Sequence, residues 1–239
     1  MPEDFKRYAI YFAPERESPL ARLGNRWLGI DPETGELLDW PRIDGISSQE
    51  ITNVTKAPSR YGFHGTLKPP FVLRDNRTLR ELDRDIQKLA EKVAPFDIPK
   101  MIVRSLSDFL AIVPASPVEA LNTLANRCVQ ELDDFRQPAG DEEIARRRKN
   151  LTARQESFLM RWGYPFVMEE FRFHLTLTGR LSATECSTLE KKLTDYLAAA
   201  LEEPVSVRNI CLFGDPGDPR PFRLLKRYPL RGGGEVPEV

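Results

Sequence analysis

Between Thr78 and Val93 the apolar residues Leu79, Leu82, Ile86, Leu89 and Val93 return every three or four positions, which predicts an amphipathic helix. A second stripe, Val118, Leu121, Leu124, Ala125, Cys128 and Leu132, predicts another. Ser116 at its N-cap, Pro117 at the first position and Glu119 form the start signal. Thr152 with Gln155, closed by Gly163, and Ser182 with Glu185, running to about Leu201, mark two more helices. Strands are predicted at "RYAIYFAP", "IPKMIVRSL", "DFLAIVPA", "PVSVRNICLF" and "PFRLLKRYPL", the last two joined by the turn "GDPGDP". Residues 15–58 show weak periodicity and read as long loops with one short helix near Pro19–Leu28. The segment "RQPAGDEEIARRRKN" reads as an exposed loop or short charged helix, and the tail from residue 231 as disordered.

Two further strands carry the pattern that matters most. In "RYGFHGTLKPPF", with the strand stopped at Pro69-Pro70, residues two apart share a face: His64, Thr66 and Lys68 on one, Phe63, Gly65 and Leu67 on the other. In "FRFHLTLTGRL", Arg172, His174, Thr176, Thr178 and Arg180 share one face, while Phe171, Phe173, Leu175 and Leu177 share the other. The order His-strand, helix, strand, strand occurs twice, which favours an α+β fold of two similar lobes.

Composition narrows the class. The net charge of −1 over 239 residues gives no global basic field and disfavours sequence-independent binding to long nucleic acid. Three widely spaced cysteines, Cys128, Cys186 and Cys211, suit a reducing compartment and read as small buried hydrophobes. No apolar run approaches the ~18 residues of a membrane span, so a cytoplasmic protein without membrane contact is expected.

The chain has two histidines, and each is followed two residues later by a threonine. An isolated histidine is more often a structural residue, but shared spacing, shared face and neighbouring cations favour a functional pair. Imidazole, with an ordinary pKa near ~6.5, exchanges protons near neutral pH. Two of them flanking a phosphorus supply the base and the acid of an in-line displacement. Threonine hydroxyls hold phosphoryl oxygens, and Lys68, Arg172 and Arg180 offer charge for the anion. Neither a metal nor another cofactor is required, and no carboxylate sits at a ligand-like offset from either histidine. Arg60, Tyr61 and Tyr164 are candidates for the cleft rim. "RRRKN" and Trp162 have weaker claims, as a phosphate-binding rim and a stacking surface.

His64-Gly65-Thr66-Leu67 and His174-Leu175-Thr176-Leu177 resemble the paired His-x-Thr-x signatures of the 2H phosphoesterase superfamily. The longer stretches are similar to a bacterial branch of it associated with phosphonate metabolism. The resemblance implies a bilobed domain over residues 1–230, with a charged insertion near 137–161. It further implies two antiparallel-rich sheets related by a pseudo-twofold, outer helices, and a cleft where His64 and Thr66 face His174 and Thr176. A metal-independent phosphodiesterase acting on a small cyclic phosphate, such as a ribose or nucleoside cyclic phosphate, follows from it. Two other readings fit the same residues: action on RNA ends bearing 2′,3′-cyclic phosphate or on 2′-5′ linkages, and a non-catalytic module that binds a nucleotide or phosphorylated metabolite.

Overall fold

The strand that opens the fold, β1 (Arg7–Phe12), lies inside a seven-stranded sheet and is buried along nearly its whole length. In the computed structural model, which describes residues 5–233, the chain continues through α1 (Pro19–Leu28), α2 (Ser48–Ser59), β2 (Gly65–Phe71) and α3 (Leu79–Glu91). Then come β3 (Phe96–Ile98), β4 (Met101–Leu106), β5 (Phe109–Pro114), α4 (Glu119–Glu131), α5 (Asp141–Arg147) and α6 (Ala153–Trp162). The last third holds β6 (Leu175–Thr176), α7 (Ala183–Leu197), β7 (Val205–Val207), β8 (Asn209–Asp215) and β9 (Arg223–Pro229).

Most elements follow the sequence signals. Thr78, Thr152 and Ser182 cap α3, α6 and α7, each with its reciprocal Glu or Gln bond. Gly163 ends α6 at φ 72°, where a side chain would be strained. Three local readings need correction. Residues 15–58 contain a second helix, α2, whose capping box runs from Ser47 to Glu50. Helix α4 starts after Val118, with no side-chain cap, so Ser116 does not serve as its N-cap. Strand β2 runs through Pro69-Pro70 to Phe71 instead of stopping there. Its pairing with β6 is confined to Gly65, so the missing proline N–H groups cost no ladder bond to β6. The charged segment does form a short helix, α5, with no buried residue.

The sheet order is β4-β5-β6-β2-β1-β8-β9, with every recorded pair antiparallel. The α+β class and antiparallel construction expected from the sequence are present. The chain order β2-α3-β3-β4-β5 returns as β6-α7-β7-β8-β9. Two facing sheets were expected, yet one sheet runs through both units, because the two His-bearing strands pair with each other. The β4–β5 hairpin of the first unit lies beside β6 of the second, while β8–β9 of the second lies beside β1 on the flank of β2. Short strands β3 and β7 pair as a separate ribbon between the units.

Helix α1 braces both His motifs. The Phe63 ring, next to His64, lies where a Cβ on Gly24 would come within 2.3 Å. The buried Trp27 indole donates to the Leu177 carbonyl at 2.8 Å, fixing the strand that follows His174. At the tail, the Arg231 and Gly232 amides bond back to Ala90 and Val93, and residues 234–239 lie outside the described residues.

Gly65 sits where a Cβ would meet the buried Phe173 ring at 2.4 Å. Gly65→Ala should therefore lower stability by about 1–3 kcal/mol through overpacking, seen as a lower urea midpoint at unchanged m-value. An unchanged midpoint would show that the ring yields freely.

Candidate functional site

The site begins with one backbone pairing. Gly65 of β2 lies opposite Leu175 of β6 in antiparallel register. Extending that register by one residue each way sets Thr66 across from His174, and His64 across from Thr176. On that extended register all four share the face opposite Gly65 and Leu175. Leu67, Phe173, Leu175 and Leu177 are buried on the other side, as the alternation requires.

Both imidazoles are held the same way. His64 Nδ1 lies 2.9 Å from the Gly62 carbonyl, and His174 Nδ1 lies 2.7 Å from the Arg172 carbonyl. A carbonyl only accepts, so each neutral ring carries its proton on Nδ1 and leaves Nε2 as the free base. The Thr66 hydroxyl stands 3.3 Å from His64 Nε2 and can donate to it. Burial pushes the His64 imidazole down to about 4, the Gly62 carbonyl opposes, and repulsion from His174 adds to the fall. Burial also lowers His174, with the Arg172 carbonyl again opposing. That His174 acts electrostatically on His64 agrees with the register that makes them neighbours.

Aromatic groups enclose the pair. Tyr11 of β1, across from Thr66, stacks on His64 with ring centroids 3.8 Å apart. Tyr61 lies 6.3 Å from His64, and Phe109 lies 5.7 Å from His174. Burial pushes the pKa of both Tyr11 and Tyr164 up, and repulsion adds to it, from Tyr61 and Tyr164 on Tyr11 and from Tyr61 on Tyr164. A cavity of about 480 Å³ opens beside Thr66 and His174, and Arg172 and Tyr164 also line it.

The remaining predicted residues divide. Thr176 pairs with Ala111 of β5 and takes its place by register. Arg172 is at the cavity, exposed, and donates to the carbonyls of Glu169 and Phe171. Lys68 is not available to an anion in the cleft: it is 1% exposed, and its ammonium donates to the Val129 carbonyl at 3.1 Å and Asp133 at 3.3 Å. Burial pushes it down to about 8 although Asp133 pulls the other way. Arg180 is 90% exposed and paired with Asp108 at 3.3 Å, outside the cavity wall. Arg60 is committed to Asp215 at 3.0 Å, on a carboxylate that also holds Arg7 at 2.6 Å. Thr178 shares the predicted face but turns into the sheet, where its buried hydroxyl accepts from the Leu110 amide at 2.9 Å.

The weaker candidates take structural places. Arg147 pairs with Glu143 and donates to the Gly163 carbonyl, and Arg148 pairs with Glu156. Trp162 carries the Arg161 guanidinium over its ring at 4.5 Å. Among the described residues no group of three His, Cys, Asp or Glu is arranged to hold a metal ion, and no helix is long and apolar enough to cross a membrane. All three cysteines are buried, and burial raises Cys128 to about 12 and Cys211 to about 11.

Tyr11, Phe109 and Asn126, which also lines the cavity, were not singled out by sequence. The alternation of "RYAIYF" puts Tyr11 on the face of Arg7 and Ala9, but only the β1–β2 register brings it to Thr66.

Residues 66–223 match a family model described as "Protein of unknown function (DUF1045)". The chain belongs to this family. The matched segment begins two residues after His64 and includes Thr66, His174 and Thr176. The chain is 35% identical over 238 residues to a Janthinobacterium sp. (strain Marseille) protein named ribose 1,5-bisphosphate phosphokinase PhnN. That alignment covers 98% of this chain and 52% of the relative. A Laribacter hongkongensis (strain HLHK9) protein of the same name is 31% identical over 220 residues, covering 92% of this chain and 51% of the relative. The chain thus spans about half the length of the curated relatives it matches. Among solved structures, E. coli LigT complexed with 3′-AMP aligns over 95% of this chain and 99% of that one, at 14% identity and a TM-score of 0.45. A likeness that loose carries no argument about the site.

The Lys68 geometry is testable. Asp133 keeps two bonds from Arg136, at 2.8 and 3.0 Å, when the ammonium is removed. Lys68→Met should therefore unfold within ~1 kcal/mol of wild type, as apolar replacements of buried pairs often do, and keep its phosphate affinity. A loss of phosphate binding at unchanged thermal stability would return Lys68 to the site.

Proposed function

We propose that this chain is a metal-independent phosphodiesterase of the 2H type that hydrolyses a small cyclic phosphate carried on a ribose. The observation that supports it is the cross-strand square of His64, Thr66, His174 and Thr176, with both histidines presenting Nε2. Two bases held in one tautomer, beside hydroxyl donors, suit acid–base displacement at phosphorus better than metal ligation or structural burial. The relatives' name supports a ribose phosphate as the substrate class.

The roles follow from electrostatics. His64, the ring depressed to about 4, is neutral across the physiological range and serves as the base. Its Nε2 takes a proton from water as the water oxygen attacks phosphorus. His174, protonated in the productive state, gives its Nε2 proton to the leaving ring oxygen as that P–O bond breaks. Thr66 and Thr176 donate to the non-bridging oxygens, and Arg172 supplies positive charge at the entrance. The ring opens to a phosphomonoester, leaving His64 protonated and His174 neutral, and proton exchange with solvent resets both.

His64→Ala and His174→Ala should each lower kcat/KM on 2′,3′-cyclic nucleotides by ~10²–10⁴-fold without altering the far-UV circular dichroism. Activity should survive EDTA; chelator-sensitive turnover would refute the metal-free mechanism. In pH terms, kcat/KM should rise through His64 near 4 as the base is freed. It should fall as His174 loses its proton below its ordinary value, so the optimum lies on the acid side of ~6.5. An optimum in the alkaline range would reverse this assignment.

A further inference from the structure

Three tyrosines gather around His64. Tyr11 of β1 lies across from Thr66 and stacks on the imidazole, with ring centroids 3.8 Å apart and planes 21° from parallel. The Tyr61 ring is 6.3 Å from the same imidazole. Tyr164 lines the cavity that also holds Thr66 and His174. The three are neighbours of one another: Tyr11 is repelled by both Tyr61 and Tyr164, and Tyr164 by Tyr61.

Their hydroxyls have no other employment. A phenol enclosed in a protein normally has a hydrogen-bond partner. Tyr196 donates to the Leu23 carbonyl at 3.0 Å, and Tyr228 to Asp83 at 2.6 Å. Among the described residues the hydroxyls of Tyr11, Tyr61 and Tyr164 have no such partner, although Tyr11 is only 1% exposed. An unmet donor costs stability, so the arrangement points to a ligand that meets it. Cations are near but turned elsewhere. Arg60 lies over the Tyr61 ring at 5.6 Å, yet its guanidinium and that of Arg7 are held by the buried Asp215 carboxylate. Both also lie over Phe222, at 5.4 and 5.7 Å, and so brace the aromatic group from behind. Burial holds the Tyr11 and Tyr164 phenols above their ordinary ionisation range, so both stay protonated and able to donate.

We propose that Tyr11, Tyr61 and Tyr164 are a set of neutral hydrogen-bond donors that holds the non-bridging oxygens of a phosphoryl anion on the His64 side of the cleft. That this anion is the reacting group rests on the phosphodiesterase reading; that the ligand is an oxyanion rests on the three donors. An O–H bond to an anionic oxygen is short and charge-assisted, and a neutral donor has no charge of its own to desolvate. Thr66 and Thr176 reach the phosphoryl group from the sheet, and the phenols close around it from β1, the turn before His64 and the segment after α6. Held by stacking and packing before the ligand arrives, they need little reorganisation to bind it.

The test is inorganic phosphate binding to the full chain, measured by calorimetry for Tyr11→Phe, Tyr61→Phe and Tyr164→Phe. Each substitution removes one oxygen and keeps the ring, so thermal midpoints should not fall, whereas losing a hydroxyl bonded within the protein would lower them. The phosphate Kd should rise ~10-fold or more in each variant. Tyr196→Phe, whose hydroxyl is bonded to Leu23, should leave it unchanged. Should Tyr11→Phe fail to fold, the other two variants, at partly exposed positions, decide. Unchanged affinity in Tyr11→Phe, or in both of the others, overturns the proposal, as does a wild type that binds no phosphate. Turnover of 2′,3′-cyclic AMP in the same preparations is read separately. Tyrosine-dependent phosphate binding without turnover supports the donor set and removes the hydrolase reading; wild-type kcat/KM in all three variants does the reverse.

Discussion

Everything in the site depends on Gly65 and Leu175 being neighbours across a ladder. In an antiparallel pair the residues on either side of a bridge point to the same face, so this single contact determines where the four candidate side chains emerge. The pairing is enforced from the core side. The Phe173 ring occupies the space above Gly65, Phe63 packs at Gly24, and Trp27 bonds the Leu177 carbonyl. A slip of one residue would turn both histidines into the core and both leucines into the cleft. The apolar face of each motif is thus as necessary to the proposed chemistry as the polar one.

The electrostatics of the cleft are those of a nearly neutral site. Cations near the motifs are already matched: Lys68 by Asp133, Arg60 and Arg7 by Asp215, and Arg180 by Asp108. What remains to meet a phosphate are hydroxyls, imidazole and Arg172. Exposed pairs such as Arg180–Asp108 contribute little to stability, ~0–1 kcal/mol. The Arg7–Asp215–Arg60 cluster is better enclosed and fixes β1, β8 and the residues just before His64 relative to one another. Low net charge also explains why burial governs the histidines: no nearby carboxylate raises their pKa, and desolvation is opposed only by single carbonyls.

Much of this was legible in the sequence, and the misses have physical causes. The apolar period located α3, and capping boxes located α6 and α7, because these signals are local. The repeated His-strand, helix, strand order was readable too, since it depends on periodicity alone. Strand partners were not readable, so one sheet was taken for two. Alternation assigned Lys68 to the His64 face, but it could not show that α4 and Asp133 cover the far end of that face. Thr178 failed for a related reason, because the strand ends just before it and the backbone turns it toward Leu110. Tyr11 and Asn126 reach the site through tertiary register and helix packing, which leave no short-range mark.

The exchange of hairpins between the two units has a consequence for how the molecule is assembled. Each His-bearing strand is completed on its flank by strands that come from elsewhere in the chain: β6 by the earlier hairpin, and β1 beside β2 by the later one. Strand β1 meets β8 some two hundred residues downstream, with Arg7 opposite Asp215. Such long closures make folding slow and strongly cooperative, because neither unit has a complete sheet until the other arrives. On a ribosome the first histidine must wait, its partner strand unmade, until Leu175 and Thr176 have emerged. The candidate site is therefore completed last and all at once, and a half-length product would hold His64 without the strand that faces it.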